Sequence, residues 1–423
     1  MNRSCGNTSI FIFLGCFILG WWLLAFSHQS TNTSTNNTTT PNSTSLNIQT
    51  NALLPYLSPL SRTTLHKALS GNKEAIVQLI SRWDSDAQIL QAKGINGIQR
   101  LDTDTYLQAH AINVLLQESS AEQIHLLNNQ LRIKTLFDDN EQKLEITHPL
   151  SHFLPQTFTA ASILLAITKP DQIIGLPKGM RDRTHIYPSK LLDQIPHNFE
   201  SFHGEKLFLA NPDLTFISPY SNPSVLSALK NQGLKLYVIK NIESLKGIQE
   251  TILKLGHAVN CPLEANLLSI FLDATFMAID NRIKALFSEM TPTDSQKKVL
   301  YLYYDQHFSI PTTKCLAGQL VKRAFNLHPG YYYHPLESPD EWRVPVESEK
   351  ILLENPNYFV ISSEHNDSNL QKRIEHQTII GALPEKTKKK IYFLDEQLLS
   401  SVDQYVALAY FDIYQILAAM QLP

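Results

Sequence analysis

The sequence has no excess of either charge, and this absence removes one class of partner. Its 36 Lys and Arg residues are nearly balanced by 39 Asp and Glu residues, which leaves a formal net charge of -3 at pH 7. Proteins that hold a nucleic-acid backbone need a basic surface to neutralise the phosphates. We therefore expect no nucleic-acid partner.

Motifs of nucleotide-binding and hydrolytic enzymes are also missing. The chain contains no Gly-x-Gly-x-x-Gly turn, no phosphate-binding loop and no Gly-x-Ser-x-Gly elbow. Cysteine is scarce as well, because only Cys261 and Cys315 lie beyond the apolar N-terminal segment. Two cysteines exclude a disulfide framework and a Cys-rich metal cluster, and they permit one bridge at most. We therefore expect that the protein is not an enzyme and has no intrinsic cofactor.

The N-terminal residues carry a targeting segment. Arg3 precedes an uncharged apolar run from Ile10 to Phe26, which predicts that residues 1–28 are either a signal peptide or an uncleaved membrane anchor. Residues 29–50 are almost entirely Ser, Thr, Asn and Gln and predict a disordered stalk. We expect the protein in the periplasm or on the outer face of the cytoplasmic membrane, where the N-terminal segment would contact the bilayer.

The spacing of apolar residues changes near residue 142. From 51 to 142 these residues recur at the helical period, as in Ala75, Ile76, Leu79 and Ile80, which predicts a small helical domain of unknown role. Beyond it, short strand-like runs alternate with helical stretches. This alternation predicts an α/β fold with parallel sheets and crossover helices.

An internal repeat divides the α/β region into two halves. Glu205–Asp213 recurs as Glu349–Asn357, 144 residues later, and each copy contains Asn-Pro before a predicted strand. Two further pairs of similar segments, which we call echoes, are each separated by 155 residues. They are 143–153 with 298–308 and 235–239 with 390–394. Three echoes in one order predict two similar doubly wound lobes, at 143–261 and 291–423.

One long helix is predicted between the lobes. The stretch from Pro262 to Glu289 is rich in apolar residues, has no internal Gly or Pro, and begins with a proline that suits a first helical turn. We place this backbone helix at 262–290.

These features resemble the class III periplasmic substrate-binding proteins of siderophore, haem and cobalamin importers, from about Lys143 to the C-terminus. The resemblance implies an extracytoplasmic protein that delivers a small metal-bearing ligand to an ABC permease. The main alternative is a membrane-tethered envelope protein that uses the same fold for ligand sensing or protein interaction. An α/β enzyme is a less favoured alternative.

In doubly wound sheets, ligands bind at the carboxyl ends of the strands. The loops predicted there, on two facing lobes, supply aromatic, imidazole and guanidinium groups that suit a planar or anionic metal complex. The expected ligand-binding residues are His152, Tyr187, Tyr220, Asn222, His307, Phe308, Tyr331, Trp342 and Arg343.

The two histidines are the candidate metal ligands. His152 and His307 are 155 residues apart and are predicted to lie in matching loops on facing lobes, where both would reach one centre. The alternative is that each histidine only caps its loop. The tract from Tyr331 to Tyr333 equally suits core packing.

The resemblance also implies a docking surface. Glu205 and Glu349 fall at the motif position where the family places one carboxylate on each lobe for a salt bridge to the permease. The alternative is that each glutamate is favoured in a first helical turn by the helix dipole.

Overall fold

The computed structural model describes residues 53–421, apart from 147–148, 200–208, 222, 232, 241, 289–296, 328–329, 334–337, 339, 365–369, 376–377, 382 and 384–389. The predicted N-terminal segment and stalk lie outside the described residues, as do Glu205 and Asn222. What was inferred about them stays a prediction.

Four helices come first in the described chain: α1 (Arg62–Leu69), α2 (Lys73–Ala92), α3 (Thr103–Glu118) and α4 (Ala121–Leu131). Each starts after a Ser, Asn or Asp side chain that accepts a hydrogen bond from the first turn. An antiparallel hairpin follows, in which β1 (Thr135–Phe137) pairs with β2 (Lys143–Glu145). The run at 143–147 was expected to open the first lobe, and its strand pairs within this hairpin instead.

The first lobe contains a parallel sheet. Its strands are β3 (Phe153–Pro155), β4 (Gly175–Pro177), β5 (His197–Phe199), β6 (Leu214–Ile217) and β7 (Leu236–Val238). Strand β6 lies between β3 and β7, β4 pairs with β5, and a bridge between Phe153 and Ile173 joins the two groups. The helices of this lobe are α5 (Phe158–Ile167), α6 (Ser189–Leu192), α7 (Pro223–Asn231) and α8 (Leu245–Ala258).

Helix α9 (Pro262–Leu286) joins the lobes, and its 25 residues end a little before the predicted boundary at 290. By length and composition it could span a membrane, but 72% of its most apolar window is buried inside the protein. Most of its side chains are buried, including Phe271 and Ile279. Helix α9 is therefore the core helix of this fold.

The second lobe has a mixed sheet in the order β11-β9-β8-β12-β13, and β10 pairs with the start of β8. Strands β8, β12 and β13 are parallel, whereas β9 is antiparallel to both β8 and β11. The strands are β8 (Lys297–Asp305), β9 (His307–Pro311), β10 (Tyr331–Tyr332), β11 (Arg343–Pro345), β12 (Tyr358–Ser363) and β13 (Ile391–Asp395). The helices are α10 (Leu316–Asn326), α11 (Ser348–Leu353), α12 (Leu370–Glu375), α13 (Thr378–Gly381), α14 (Glu396–Leu399) and α15 (Val406–Met420).

The predicted fold class, α/β with two lobes joined by one long helix, is confirmed. The N-terminal helices are not a separate module, because they pack along α9. Near the start of α9, the backbone N–H of Leu263 donates to Asn128 of α4 (3.1 Å). Near its end, Arg282 forms a buried ion pair with Asp86 of α2 (3.0 Å). One continuous apolar core runs through these helices, α9 and both lobes.

The repeat at Asn-Pro is confirmed by matching geometry in the two lobes. Asn211 and Asn355 both adopt the left-handed conformation, at φ 45° and 41°, which Asn tolerates better than most residues. Two residues later, Asp213 accepts a hydrogen bond from the backbone N–H of His152 (3.0 Å) and Asn357 accepts one from that of Lys298 (2.7 Å). Each copy therefore fixes the amino end of the neighbouring strand.

Strand pairing tests the two other echoes. Leu236 of β7 pairs with Thr215, and Ile391 of β13 pairs with Phe359. Thr215 and Phe359 are equivalent in the Asn-Pro repeat, so Leu236 and Ile391 are equivalent too, and the similarity at 155 residues between β7 and β13 is confirmed. The echo between 143–153 and 298–308 is wrong. Strand β3 is equivalent to the start of β8, because both pair with the strand that follows Asn-Pro, and the counterpart of His152 is therefore Lys298.

Candidate functional site

We place the candidate site in the region where the carboxyl ends of the two sheets face each other, and we call this region the cleft. His185, in the loop after β4, contacts Asp395 at the end of β13, at 3.1 Å between Nε2 and Oδ2. Gln319 of α10 donates to the carbonyl of Glu243, which follows β7, at 2.9 Å. These two contacts join the lobes at their carboxyl edges, where ligands bind in doubly wound folds.

Arg343, in β11, is held by two contacts on the second-lobe side of the cleft. Its guanidinium carbon lies 3.6 Å from the ring centroid of Tyr303 in a cation–π contact. The same group donates to Glu396 at 2.5 Å. Burial raises the pKa of Glu396, although the charge of Arg343 acts against this shift. The ring and the carboxylate together hold the guanidinium in one orientation.

Two exposed aromatic side chains lie near the carboxyl edges of the sheets, one in each lobe. Trp342 is 46% exposed, and its carbonyl accepts a hydrogen bond from the backbone N–H of Thr312 (3.0 Å), just before α10. Tyr220, in the turn after β6, is 82% exposed. Its backbone N–H donates to the hydroxyl of Ser218 at 3.1 Å, which fixes the turn. Each lobe therefore presents one aromatic face at its carboxyl edge.

The loops after β3 and β4 form the rest of the first-lobe wall. Arg183 lies over the ring of Phe158, with its guanidinium carbon 4.6 Å from the centroid. Gln156, directly after β3, is buried, and its side-chain amide bonds to no other described residue. An unsatisfied buried amide is costly, so Gln156 is a polar group that the packing of this lobe leaves unused.

His152 does not lie where it was expected. It directly precedes β3, and its backbone bonds to Asp213, which precedes β6. It is therefore at the amino edge of the first sheet. His307 is the first residue of β9 and pairs with Asp305 at the end of β8, at the carboxyl edge of the second sheet. The expected matching loops are wrong, because the echo that aligned the two histidines has the wrong register.

Three expected ligand-binding residues are buried in the protein core. The hydroxyl of Tyr187 donates to Asp403 (3.1 Å), and its ring packs edge-on against Tyr405. Phe308 is buried in the second lobe, with its ring centroid 5.1 Å from that of Tyr304. Tyr331 pairs with the start of β8 and donates to the carbonyl of Met420. Their aromatic surface is used for packing, so the structure places none of them as an open wall of the cleft.

The remaining expectations concern Glu349, the two cysteines and a metal site. Glu349 is exposed in the first turn of α11. Cys261 and Cys315 are both free, so the bridge that the sequence permitted is not formed. In the described ranges, no group of three or more His, Cys, Asp and Glu side chains is placed to hold a metal ion.

Sequence reasoning missed Tyr303, Glu396 and the pair of His185 with Asp395. Asp395 and Glu396 could have been found from the sequence, because ligand-binding residues are expected at the carboxyl ends of strands and these two directly follow the segment 390–394. Tyr303 lies within a strand, where the sequence carries no signal for a contact with a cation.

Behind the cleft, a buried carboxylate links the lobes. Asp403, between α14 and α15, accepts a hydrogen bond from Ser162 of α5 (2.7 Å) and another from Tyr187 (3.1 Å). Its other oxygen accepts from the backbone N–H of Tyr405 at 2.8 Å. Burial raises the pKa of Asp403 to about 6, against the effect of these bonds.

Comparison with known proteins identifies the fold. No family model matches the sequence, and no curated protein matches it. The apo form of the periplasmic haem-binding protein of Roseiflexus sp. RS-1 matches with a TM-score of 0.51 and 15% identity, over 64% of this chain and 98% of that one. A possible iron-binding periplasmic solute-binding protein of Staphylococcus epidermidis gives 0.51 and 16%, over 64% and 99%. The chain has the class III binding-protein fold.

These matches also delimit the fold. They cover nearly all of each relative but about two thirds of this chain, so this chain is substantially longer than the relatives. At this level of identity they establish the class III fold and leave the ligand open.

Proposed function

We propose that the protein is an extracytoplasmic binding protein, not an enzyme, that captures a compact metal-bearing ligand and delivers it to an ABC importer permease. The class III fold is the observation that carries this proposal. The solved structures with this fold and a TM-score of 0.51 are described as haem-binding and as possibly iron-binding. We place the protein in the periplasm or on the outer face of the cytoplasmic membrane, either free or held by its N-terminal segment.

The chemistry of the cleft supports a ligand such as an iron–siderophore, haem or a cobalamin-like molecule. Arg343 is held in a fixed orientation and suits a carboxylate of the ligand. Tyr220 and Trp342 offer aromatic faces to a macrocycle or a catecholate ring. We propose that the metal arrives already chelated, so that protein side chains contact mainly the organic part. His307 remains a candidate for a direct contact.

Fluorescence provides a direct test, because Trp83 and Trp342 are the only tryptophans beyond the N-terminal segment. Trp83 is buried against Phe271, with ring centroids 5.3 Å apart. Haemin, ferric siderophores and cobalamin should each be titrated against the purified protein. The binding ligand should quench the emission of Trp342, and most of this response should be absent in Trp342→Phe. The proposal fails if none of the three ligand classes binds.

A charge variant tests the role of Arg343. Changing Arg343→Gln together with Glu396→Gln avoids leaving a buried carboxylate unpaired. Affinity for a carboxylate-bearing ligand should fall about 10-fold or more, which is typical for one charge-assisted contact. The matched control is Arg100→Gln with Asp84→Asn, which removes a two-point ion pair from the helical region (2.8 Å) and should leave affinity unchanged.

The docking proposal concerns Glu205 and Glu349. Two carboxylates on separate lobes would meet basic groups on the permease, and charges at the rim of an interface act mainly on association rate. Replacing both with Ala should slow docking, most strongly at low salt, while ligand affinity is unchanged.

A further inference from the structure

Two leucines at equivalent positions of the repeat are unusually exposed. Leu209 is 74% exposed and Leu353 is 83% exposed. They are 144 residues apart, and each comes two residues before the left-handed Asn of its lobe. Among the large hydrophobic side chains in the described ranges, only Tyr220 has comparable exposure.

Packing within the second lobe does not explain why position 353 is a leucine. In α11, Ile351 is fully buried and anchors the helix to the second-lobe core. Leu353 is near the end of the same helix and points to solvent, and the left-handed Asn355 then ends the helix. A polar residue would serve equally well at such a position, and yet both halves of the chain have leucine there.

The location of the pair excludes contact with a ligand in the cleft. Each leucine precedes the Asn-Pro segment that leads to the amino end of β6 or β12. The cleft is at the carboxyl ends of these strands, so the leucines lie at the opposite edge of each lobe. An exposed apolar group that is repeated on two similar lobes fits a partner with two equivalent binding sites.

We propose that Leu209 and Leu353 are paired apolar anchors that insert into two equivalent hollows of a two-fold symmetric permease dimer. This inference rests on the proposed function. The charge next to one anchor is consistent with this partner. The exposed Glu349 precedes Leu353 by one helical turn, so its carboxylate would face the permease beside the leucine. Each hollow should therefore lie beside a basic group. Apolar anchors of this kind carry binding energy, whereas rim charges mainly affect rate.

The test measures docking of the full-length protein to purified importer permeases of the source organism, held as dimers in lipid nanodiscs. Leu209→Ser and Leu353→Ser should each weaken Kd about 10-fold, and the double variant about 100-fold, as expected for losing one buried leucine per site. Leu126→Ser is the matched control, because Leu126 is 60% exposed on α4, outside the repeat. It should change Kd less than about 2-fold.

Salt separates the anchors from the charges. The loss in the two serine variants should be the same at low and high salt, whereas the loss in Glu349→Gln should shrink at high salt. Leu353→Lys is a second variant with the same expected direction. Both leucine positions are too exposed for these changes to unfold the protein, and thermal unfolding checks this.

The outcomes distinguish the two proposals. If the wild-type protein binds no permease, the proposed function fails together with the anchors. If it binds and the double variant has wild-type affinity, the anchors are refuted and the function stands. A loss in only one single variant refutes the paired arrangement. If wild type dimerises in sedimentation experiments and the double variant does not, the surface serves a second copy of the chain, and the inference is overturned.

Discussion

Replacing Asp403 with Asn should change how the stability of the protein depends on pH. Burial raises the folded-state pKa of Asp403 from 3.8 to about 6. A carboxyl with a raised pKa favours the folded state when it is protonated. Its stabilising contribution is therefore complete below about pH 3.8 and is lost as the pH rises through about 6. Asn mimics the protonated form, so the variant lacks this loss.

The magnitude follows from the size of the shift. A displacement from 3.8 to about 6 corresponds to about 3 kcal/mol, at roughly 1.4 kcal/mol for each pH unit. At pH 4 part of this loss has already occurred, because an unfolded-state carboxyl with a pKa of 3.8 is more than half ionised there. The unfolding free energy of Asp403→Asn, relative to wild type, should therefore rise by about 2 kcal/mol between pH 4 and pH 7. Ser162 and Tyr187 are hydroxyl donors that can rotate to accept from the new amide, so any constant offset should be small.

Urea denaturation at several pH values between 4 and 7 measures this difference. Burial lowers the pKa of His66, which contacts Tyr405, but His66 is present in both proteins and its effect cancels in the comparison. Asp104→Asn, at an exposed site in α3, is the control. If the difference between Asp403→Asn and wild type is the same at pH 4 and pH 7, the reasoning about this buried carboxyl is wrong.

Three further changes test the framework. Asn355→Ala should lower the unfolding free energy by about 1 kcal/mol, because φ is 41°, whereas Asn355→Gly should be nearly neutral in the same denaturation assay. Arg282→Met should cost about 3 to 5 kcal/mol by leaving Asp86 buried and unpaired, and adding Asp86→Leu should recover much of this loss. His185→Gln removes the partly exposed contact with Asp395 and should change the midpoint of thermal unfolding very little, since contacts of this kind near the surface contribute less than about 1 kcal/mol.

The sequence predicted the lobes well because each is built from local signals. Continuous apolar runs identified the central strands, and the Asn-Pro repeat identified their equivalence. The packing of the N-terminal helices along α9 was not predictable. Periodicity shows that a helix has an apolar face, but it does not show which element covers that face. The contact of Asp86 with Arg282 joins residues far apart in sequence, and no pattern marks it.

The site was predicted less well because the repeat is preserved at one edge of the sheets only. At the amino edges, Asp213 and Asn357 make the same bond to a neighbouring strand, so both copies need the same short polar side chain. No such shared requirement acts on the carboxyl-edge loops. There, β8 continues into a hairpin with His307, whereas β3 leads directly to α5. Aligning the two halves therefore predicts wrong positions for loop residues, as it did for His152.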